Sequence, residues 1–363
     1  MQLRSRYALR LFAQLRFSLM IPVLCVIGGI PGVAFAQAPD NTTITSLLPR
    51  AAAGRIRSQV DLANAYLKTN RPEDIQQAIH WYRTAANRGD LFAQTELGVM
   101  LQSGIGSAVD LAQAREWYRR AAGEGYLPAT VLLASLYSHG KGVPEDRDEA
   151  LRLLKSAAQQ DYAPAKTELA ILYLLAPDAP EHDLEAVRLL HSTAGQDPKG
   201  AFALGWCYQQ ERGVKRNLAQ ASRWYRKAAN QGFAAAENNL GFLYNTGGGI
   251  PTDHAAALQW YRRAAEDGIS DATLSVATLL LTGPEPMRDR HGALVWFRIA
   301  QRVGAHGVTS APVFERLMHE VPVVEREAID GAAARWLEQH PPNDRSSVSV
   351  PVQLTTLDHS SLE

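Results

Sequence analysis

The chain has 363 residues, of which 46% are hydrophobic and 20% are charged. This composition supports a packed core and excludes a chain that is disordered throughout. Lysine and arginine total 37, and aspartate and glutamate also total 37, so the chain lacks the basic excess that is typical of nucleic-acid binders.

The first 36 residues have the pattern of a secretory signal peptide. Four arginines precede or border an uncharged, mostly apolar run at 17–30, which is shorter than an ordinary membrane-spanning helix. Ala34, Phe35 and Ala36 then form the small-x-small pattern of a cleavage site. We expect cleavage after Ala36 and a periplasmic or secreted protein with no membrane span. An uncleaved leader that anchors the chain is the alternative.

The segment after the leader and the cysteine content give two further expectations. Residues 37–54 precede any repeat and predict a flexible lead-in. Cleavage would leave Cys207 as the single cysteine, so the mature chain would have no internal disulfide. Because Cys207 lies in an apolar segment, we expect it to be a buried structural thiol.

An internal repeat of 35 or 36 residues fills residues 55–304. A large residue with alanine three positions before it recurs at Trp81, Trp117, Leu153, Leu189, Trp224, Trp260 and Trp296. An aliphatic anchor followed by alanine or glycine precedes each of them, at Leu62, Leu97, Leu133, Leu169, Leu204, Leu240 and Val276. Small residues beside large ones let helices approach closely, so the pattern predicts a solenoid of seven two-helix repeats.

Turn and capping residues mark the predicted helix ends. Seven residues before the large residue, six copies carry a side chain that can cap the second helix: Asp74, Asp110, Asp146, Asn217, Asp253 and Asp289. Eight residues after it, five copies carry a glycine suited to the left-handed turn after a helix: Gly89, Gly125, Gly232, Gly268 and Gly304. Each unit is expected to run as helix, glycine-rich turn, helix and short turn.

These residues resemble the Sel-1-like repeat, a relative of the tetratricopeptide repeat. The pattern Ala-x-x-x-Leu-Gly-x-x-Tyr, followed by Asp-x-x-x-Ala-x-x-Trp-Tyr-Arg-x-Ala-Ala-x-x-Gly, is met almost throughout at 236–268. The fourth copy departs from it, since Ala-Pro-Asp-Ala-Pro at 176–180 replaces the glycine turn. The resemblance implies an all-α, right-handed superhelical solenoid of antiparallel helix pairs. It also implies a protein-binding scaffold, in bacteria often periplasmic and tied to envelope or exopolysaccharide assembly.

Beyond residue 304 the repeat stops. Residues 310–317 and 323–339 predict two helices, and Val324, Ala328, Ala332 and Trp336 share one face of the second. We expect residues 305–340 to form a helical cap over the last repeat. Residues 341–363 are polar and predict a disordered tail.

Function is expected on the face of each first helix that packing leaves open. Offsets −2, +2 and +5 from the anchors share a face and supply apolar and amide side chains almost without charge. Such a strip suits an extended peptide or a partner helix, with Trp206 and Phe242 as the foremost contacts. Burial of these two between helices is the structural alternative. The predicted partner-binding residues are Asn64, Val99, Ile171, Phe202, Trp206, Gln209, Asn238, Phe242 and Asn245.

Patterns for catalysis are weak. The sequence contains neither His-Glu-x-x-His nor a paired-cysteine metal pattern, and we predict no catalytic residue, metal or cofactor. Ser-His-Gly-Lys at 138–141 formally fits Ser-x-x-Lys but lies in a predicted turn without its companion motifs. The recurring Trp-Tyr-Arg, first at 81–83, is interpreted as scaffold because it repeats with the period. Two alternatives stay open: a β-lactam-binding or hydrolysing enzyme, which cysteine-rich relatives of the family suggest, and a glycan- or peptidoglycan-binding module.

Overall fold

The computed structural model of the chain describes residues 41–176, 179–306 and 312–341. Within these residues every regular element is a helix, and the helices form two units that divide between Leu172 and Tyr173. The prediction of an all-α fold is confirmed. The leader predicted at 1–36 and the tail from residue 342 onward lie outside the described residues.

The N-terminal unit contains an entry helix and three complete helix pairs. Helix α1 packs on α2, the pairs are α2–α3, α4–α5 and α6–α7, and each pair also packs on the next. The helices are α1 (Asn41–Ala52), α2 (Ile56–Thr69), α3 (Pro72–Ala86), α4 (Leu91–Ser103), α5 (Leu111–Gly123), α6 (Leu127–His139), α7 (Arg147–Gln159) and α8 (Ala163–Leu174). The boundary between the units falls within α8.

The C-terminal unit contains three further helix pairs and two closing helices. The pairs are α10–α11, α12–α13 and α14–α15, and both closing helices pack on α15. The helices are α9 (Pro180–Thr193), α10 (Pro198–Gln210), α11 (Leu218–Ala229), α12 (Ala234–Thr246), α13 (His254–Glu266), α14 (Ser270–Thr282), α15 (Arg290–Arg302), α16 (Pro312–Glu320) and α17 (Val323–Gln339).

The segment expected to be a flexible lead-in contains helix α1, so that prediction is wrong for residues 41–52. Helix α1 packs on α2 as α3, the second helix of the first repeat, packs on α4, the first helix of the next repeat. Gln59 Nε2 donates to the Ala51 carbonyl at 3.1 Å, just as Gln94 Nε2 donates to the Ala86 carbonyl at 3.1 Å. Helix α1 therefore covers the first repeat on the side where no earlier repeat precedes it.

The residue after the recurring large residue, and not the tryptophan itself, is fully packed. The buried set is Tyr82, Tyr118, Leu154, Leu190, Tyr225, Tyr261 and Phe297. The tryptophans are half-buried, and the guanidinium carbon of Arg120, for example, lies 4.9 Å from the Trp117 ring centroid. The side chain that packs between the helices is thus one position later than the recurring tryptophan of the sequence pattern.

The capping prediction holds in five of its six copies. The side chains of Asp110, Asp146, Asn217, Asp253 and Asp289 each accept a hydrogen bond from the backbone N–H three residues on. Asp74 is different because α3 begins earlier, at Pro72. Its carboxylate accepts from the Thr69 hydroxyl at 2.6 Å and from Arg71 Nε at 2.7 Å, so it is no N-cap.

Replacing Asp253 by alanine is expected to lower the free energy of unfolding by about 1 kcal/mol. The Asp253 side chain accepts from the Ala256 amide at 2.9 Å, and alanine would leave that amide without its cap. Asp253→Asn keeps the acceptor and is the matched control. Urea unfolding followed by circular dichroism measures both variants, and equal losses for the two would contradict the capping role.

The closing helices cover the apolar side of α15. The Phe297 and Phe314 rings stack with centroids 4.7 Å apart, and Ile329 and Ala333 are buried. Val324, which sequence analysis had placed on the packed face of α17, is 79% exposed. The packed face is therefore turned by about one residue from the predicted one, although Trp336 does lie on it, 5.2 Å from the Trp296 ring.

Candidate interaction surface

The first-helix face predicted to be open is partly closed by packing. All seven residues at offset −2 from the anchors are buried: Val60, Thr95, Val131, Thr167, Phe202, Asn238 and Leu274. Residues at offsets +2 and +5 are half-buried in most copies. The open strip thus includes offsets +2 and +5 but not offset −2.

Four of the predicted partner-binding residues lie in the core of the repeats: Ile171, Phe202, Trp206 and Asn238. Phe202 is fully buried, with its ring centroid 5.6 Å from that of Tyr225 and 5.0 Å from that of Phe233. Trp206 is 6% exposed and lies beside the Arg212 guanidinium. The structural alternative considered for Trp206 therefore applies, and the expectation that these four side chains are exposed is corrected.

The other five predicted residues are half-buried: Asn64, Val99, Gln209, Phe242 and Asn245. Buried tyrosines fix several amides of this strip. Tyr82 Oη donates to Asn64 Oδ1 at 2.6 Å, Tyr118 Oη donates to Gln102 Oε1 at 2.9 Å, and Tyr225 Oη donates to Gln209 Oε1 at 2.5 Å.

The tyrosine hydroxyls leave one part of each amide available. They occupy the amide oxygens of Asn64, Gln102 and Gln209, and no residue in the described part of the chain accepts from the NH2 groups of these three side chains. An amide that is held in this way can donate to a peptide carbonyl with little loss of side-chain entropy. Each unit therefore presents fixed donors beside an apolar side chain, Val99 in the N-terminal unit and Phe242 in the C-terminal unit.

Offset −1 borders this strip, although three of its seven residues, Glu96, Ala203 and Ser275, are buried as those at −2 are. At about 100° per residue, offset −1 lies about 60° from +2, whereas the predicted set −2, +2 and +5 spans the narrower arc. In the N-terminal unit this offset carries Asp61, Glu96, Leu132 and Glu168, and in the C-terminal unit it carries Ala203, Asn239 and Ser275. The N-terminal part of the strip is therefore acidic, whereas an almost uncharged strip was expected.

Glu96 is the exceptional member of this group. It is 4% exposed, and no residue in the described ranges gives it a hydrogen bond or an ion pair. Burial raises the pKa of the Glu96 carboxyl to about 7. Burial, and after it the charge of Glu96, raises the pKa of the hydroxyls of Tyr82, Tyr118 and Tyr126.

Two other buried carboxylates have a compensating ion pair or hydrogen bond, which Glu96 lacks. Glu237 Oε1 lies 2.7 Å from the Arg263 guanidinium, and Asp271 Oδ1 accepts from the His306 backbone amide at 2.6 Å and lies 3.3 Å from its ring Nδ1. A buried charge is costly unless a charge or a hydrogen bond compensates it. Glu96 has neither in this structure.

The remaining reactive groups form no catalytic arrangement among the described residues. Cys207 is buried, and burial raises the pKa of its thiol, which confirms the prediction of a structural thiol. Ser138 Oγ lies 2.9 Å from His139 Nδ1, but that nitrogen is also 2.8 Å from the Ser135 carbonyl. In the described ranges, no three histidine, cysteine, aspartate or glutamate side chains converge to hold a metal ion. None of the described helices is both long and apolar enough to span a bilayer.

Comparisons with known proteins agree with this architecture. Five stretches match the family model for the Sel1 repeat, at residues 56–90, 91–126, 127–162, 198–233 and 234–269. The fourth and seventh predicted copies lie outside these matches. No curated protein sequence matches the chain.

Several solved structures are similar to the chain, two of them at 26% identity. A Sel1 repeat protein from Oxalobacter formigenes is 26% identical with a TM-score of 0.59, over 68% of this chain and 99% of that one. A protective antigen present in uropathogenic Escherichia coli strains, which displays an SLR fold, is 26% identical with a TM-score of 0.57, over 81% of this chain. The match spans 64% of the E. coli protein, which is less than two thirds of its length.

Proposed function

Because five of its repeats belong to the Sel1 repeat family, we propose that this chain is a non-enzymatic scaffold that binds a protein partner along the strip that first-helix offsets −1, +2 and +5 form within a unit. The occupant is an extended polypeptide segment. The scaffold works in the bacterial cell envelope, after export directed by residues 1–36.

The observation that carries this proposal is the set of fixed amides. Asn64 and Gln102 in the N-terminal unit, and Gln209 in the C-terminal unit, are each held by a buried tyrosine hydroxyl and keep NH2 donors without a described acceptor. An extended peptide presents backbone carbonyls at regular intervals, and such donors can bind them whatever the peptide side chains are. Half-buried Val99 and Phe242 supply apolar contacts beside the donors.

The location rests on the leader pattern and on the setting in which bacterial Sel-1-like repeats often occur. The expected mature protein begins at Gln37 and is recovered from the periplasmic fraction. N-terminal sequencing of the protein purified from that fraction tests both points together.

In-cell photo-crosslinking tests the binding strip. A benzophenone amino acid is placed at Val99 or at Phe242, and as a control at Arg223, an exposed position on second helix α11. We expect adducts with a defined polypeptide from the two strip positions and none from the control. Equal adducts from all three positions, adducts with peptidoglycan alone, or no adducts would each contradict the proposal. Position 242 is preferred to 206 because a substitution at the packed Trp206 would also disturb the core.

A further inference from the structure

An uncompensated carboxylate lies within the strip of the N-terminal unit. Glu96 is at offset −1 of the second repeat, one helical turn before Val99, and the half-buried Gln102 follows at +5. Its oxygens are not closed off from solvent in the way that both oxygens of Glu237 are. A ligand in the strip can therefore reach a carboxylate that the protein itself leaves without a counter-charge.

The repeat does not need an acid at this position. The equivalent residues in the C-terminal unit are the uncharged Ala203, Asn239 and Ser275. Asn239 hydrogen-bonds to Tyr225, which is the equivalent of Tyr82. A neutral amide thus meets the packing requirements of the same place in the same repeat. Because a buried unpaired charge opposes folding, the glutamate at 96 has a cost that the scaffold alone does not explain.

The surroundings of Glu96 fit a cation. Its charge acts on the hydroxyls of Tyr82, Tyr118 and Tyr126, and none of the described arginine, lysine or histidine side chains is paired with it. Asp61 occupies the same offset in the preceding repeat, although it is exposed and paired with Arg57 at 3.3 Å. Asp90 adds a second negative charge near Tyr126.

We infer that Glu96 is the recognition point for a lysine or arginine side chain of the polypeptide bound in the strip. The amides hold the peptide backbone, and the basic side chain pairs with the carboxylate from the open side of the strip. This inference rests on the proposed function, since it specifies the residue that the N-terminal part of the strip selects. It predicts a preference for basic partners, whereas sequence analysis expected an almost uncharged strip.

Selection from a displayed library of randomised dodecapeptides tests the inference with the full mature chain. Peptides are selected against the natural protein, against Glu96→Gln, and against Glu124→Gln, in which the changed residue is exposed near the end of α5. We expect the natural protein and Glu124→Gln to select peptides that share a lysine or arginine at one position. Glu96→Gln is expected to select peptides without that position.

The affinity of one selected peptide then gives the magnitude. The peptide and its version with the basic residue changed to glutamine are titrated into each protein by fluorescence anisotropy. In the natural protein, the change to glutamine is expected to weaken binding on the order of tenfold or more, whereas Glu96→Gln should bind both peptides alike. Glu96→Asn, which copies Asn239, is the second variant and should behave as Glu96→Gln does.

The possible failures are distinguishable. If the natural protein selects no peptides at all, the proposed function fails. If it selects peptides that lack a shared basic residue, or if the preference for one persists in Glu96→Gln, the strip stands and the role of Glu96 is overturned.

Discussion

Replacing Gly98 by alanine is expected to lower the free energy of unfolding by about 1 to 3 kcal/mol. A Cβ atom at residue 98 would lie 2.5 Å from Cε1 and 2.9 Å from Cδ1 of Tyr118. The Tyr118 ring is fully buried and its hydroxyl is bound to Gln102, so the ring cannot turn aside without losing packing and a hydrogen bond. Urea unfolding of the full chain, followed by circular dichroism, measures the loss.

Gly123→Ala is the matched control. Gly123 is the last residue of α5, and a Cβ atom there would meet nothing within 4 Å. Because alanine is the better helix former, this variant should be unchanged or stabilised by up to about 1 kcal/mol. Similar stabilities for the two alanine variants would show that Tyr118 can move at no cost, and the close approach of α4 and α5 would not depend on glycine.

The pairing of small and large residues explains why the fold could be predicted so far from sequence. Gly98, Gly205 and Gly241 occur where a tyrosine follows the recurring tryptophan, and the added Cβ would lie within 2.8 Å of the ring in each case. Ala134 and Ala170 occur where the buried residue is a leucine. The period and the helix order follow from this packing, because each small residue admits one neighbouring side chain.

The first copy shows how a departure from this pairing is accommodated. Ala63 stands where the later tyrosine-containing copies have glycine, although Tyr82 occupies the tyrosine position. The Tyr82 hydroxyl reaches Asn64, at offset +2, whereas the Tyr118 and Tyr225 hydroxyls reach the glutamines at +5. Each of these copies has an amide at only one of the two offsets, and the hydroxyl bonds to the one that is present.

Helix α1 and the binding strip were harder to predict, for different physical reasons. Helix α1 lacks the recurring tryptophan. The one sequence feature that indicates a helix before α2 is Gln59, which lies three residues before the anchor Leu62, as Gln94 lies three residues before Leu97. The strip was misplaced because successive residues on a helix differ by about 100°, and neighbouring helices cover most of each first helix. The prediction therefore included the fully buried Thr95 but not its neighbour Glu96, which is 4% exposed.

The second large effect is a change in pH dependence when Glu96 is replaced by glutamine. The carboxyl has a pKa of about 7 in the folded chain and 4.5 as its ordinary value, so the folded state holds the proton more tightly. Stability is therefore fully retained below about pH 4.5, falls as the pH rises through the interval to about 7, and stays reduced above it. Glutamine has no such loss. Near pH 8, Glu96→Gln is expected to be more stable than the natural chain by about 2 to 3 kcal/mol, and the difference should vanish near pH 4.5.

Glu116→Gln separates this effect from the general consequences of removing a carboxylate. Glu116 is exposed and bound by Arg119 and Arg120, and hydrogen bonds from both arginines lower the pKa of its carboxyl to about 2. Its contribution is lost only as the pH falls from about 4.5 toward 2, so between pH 5 and 8 the Glu116→Gln difference should be constant. Urea midpoints at unit pH steps measure both variants. If the Glu96→Gln difference were equally constant, Glu96 would be solvated in the folded chain, and the need for a cation from the partner would lose its physical basis.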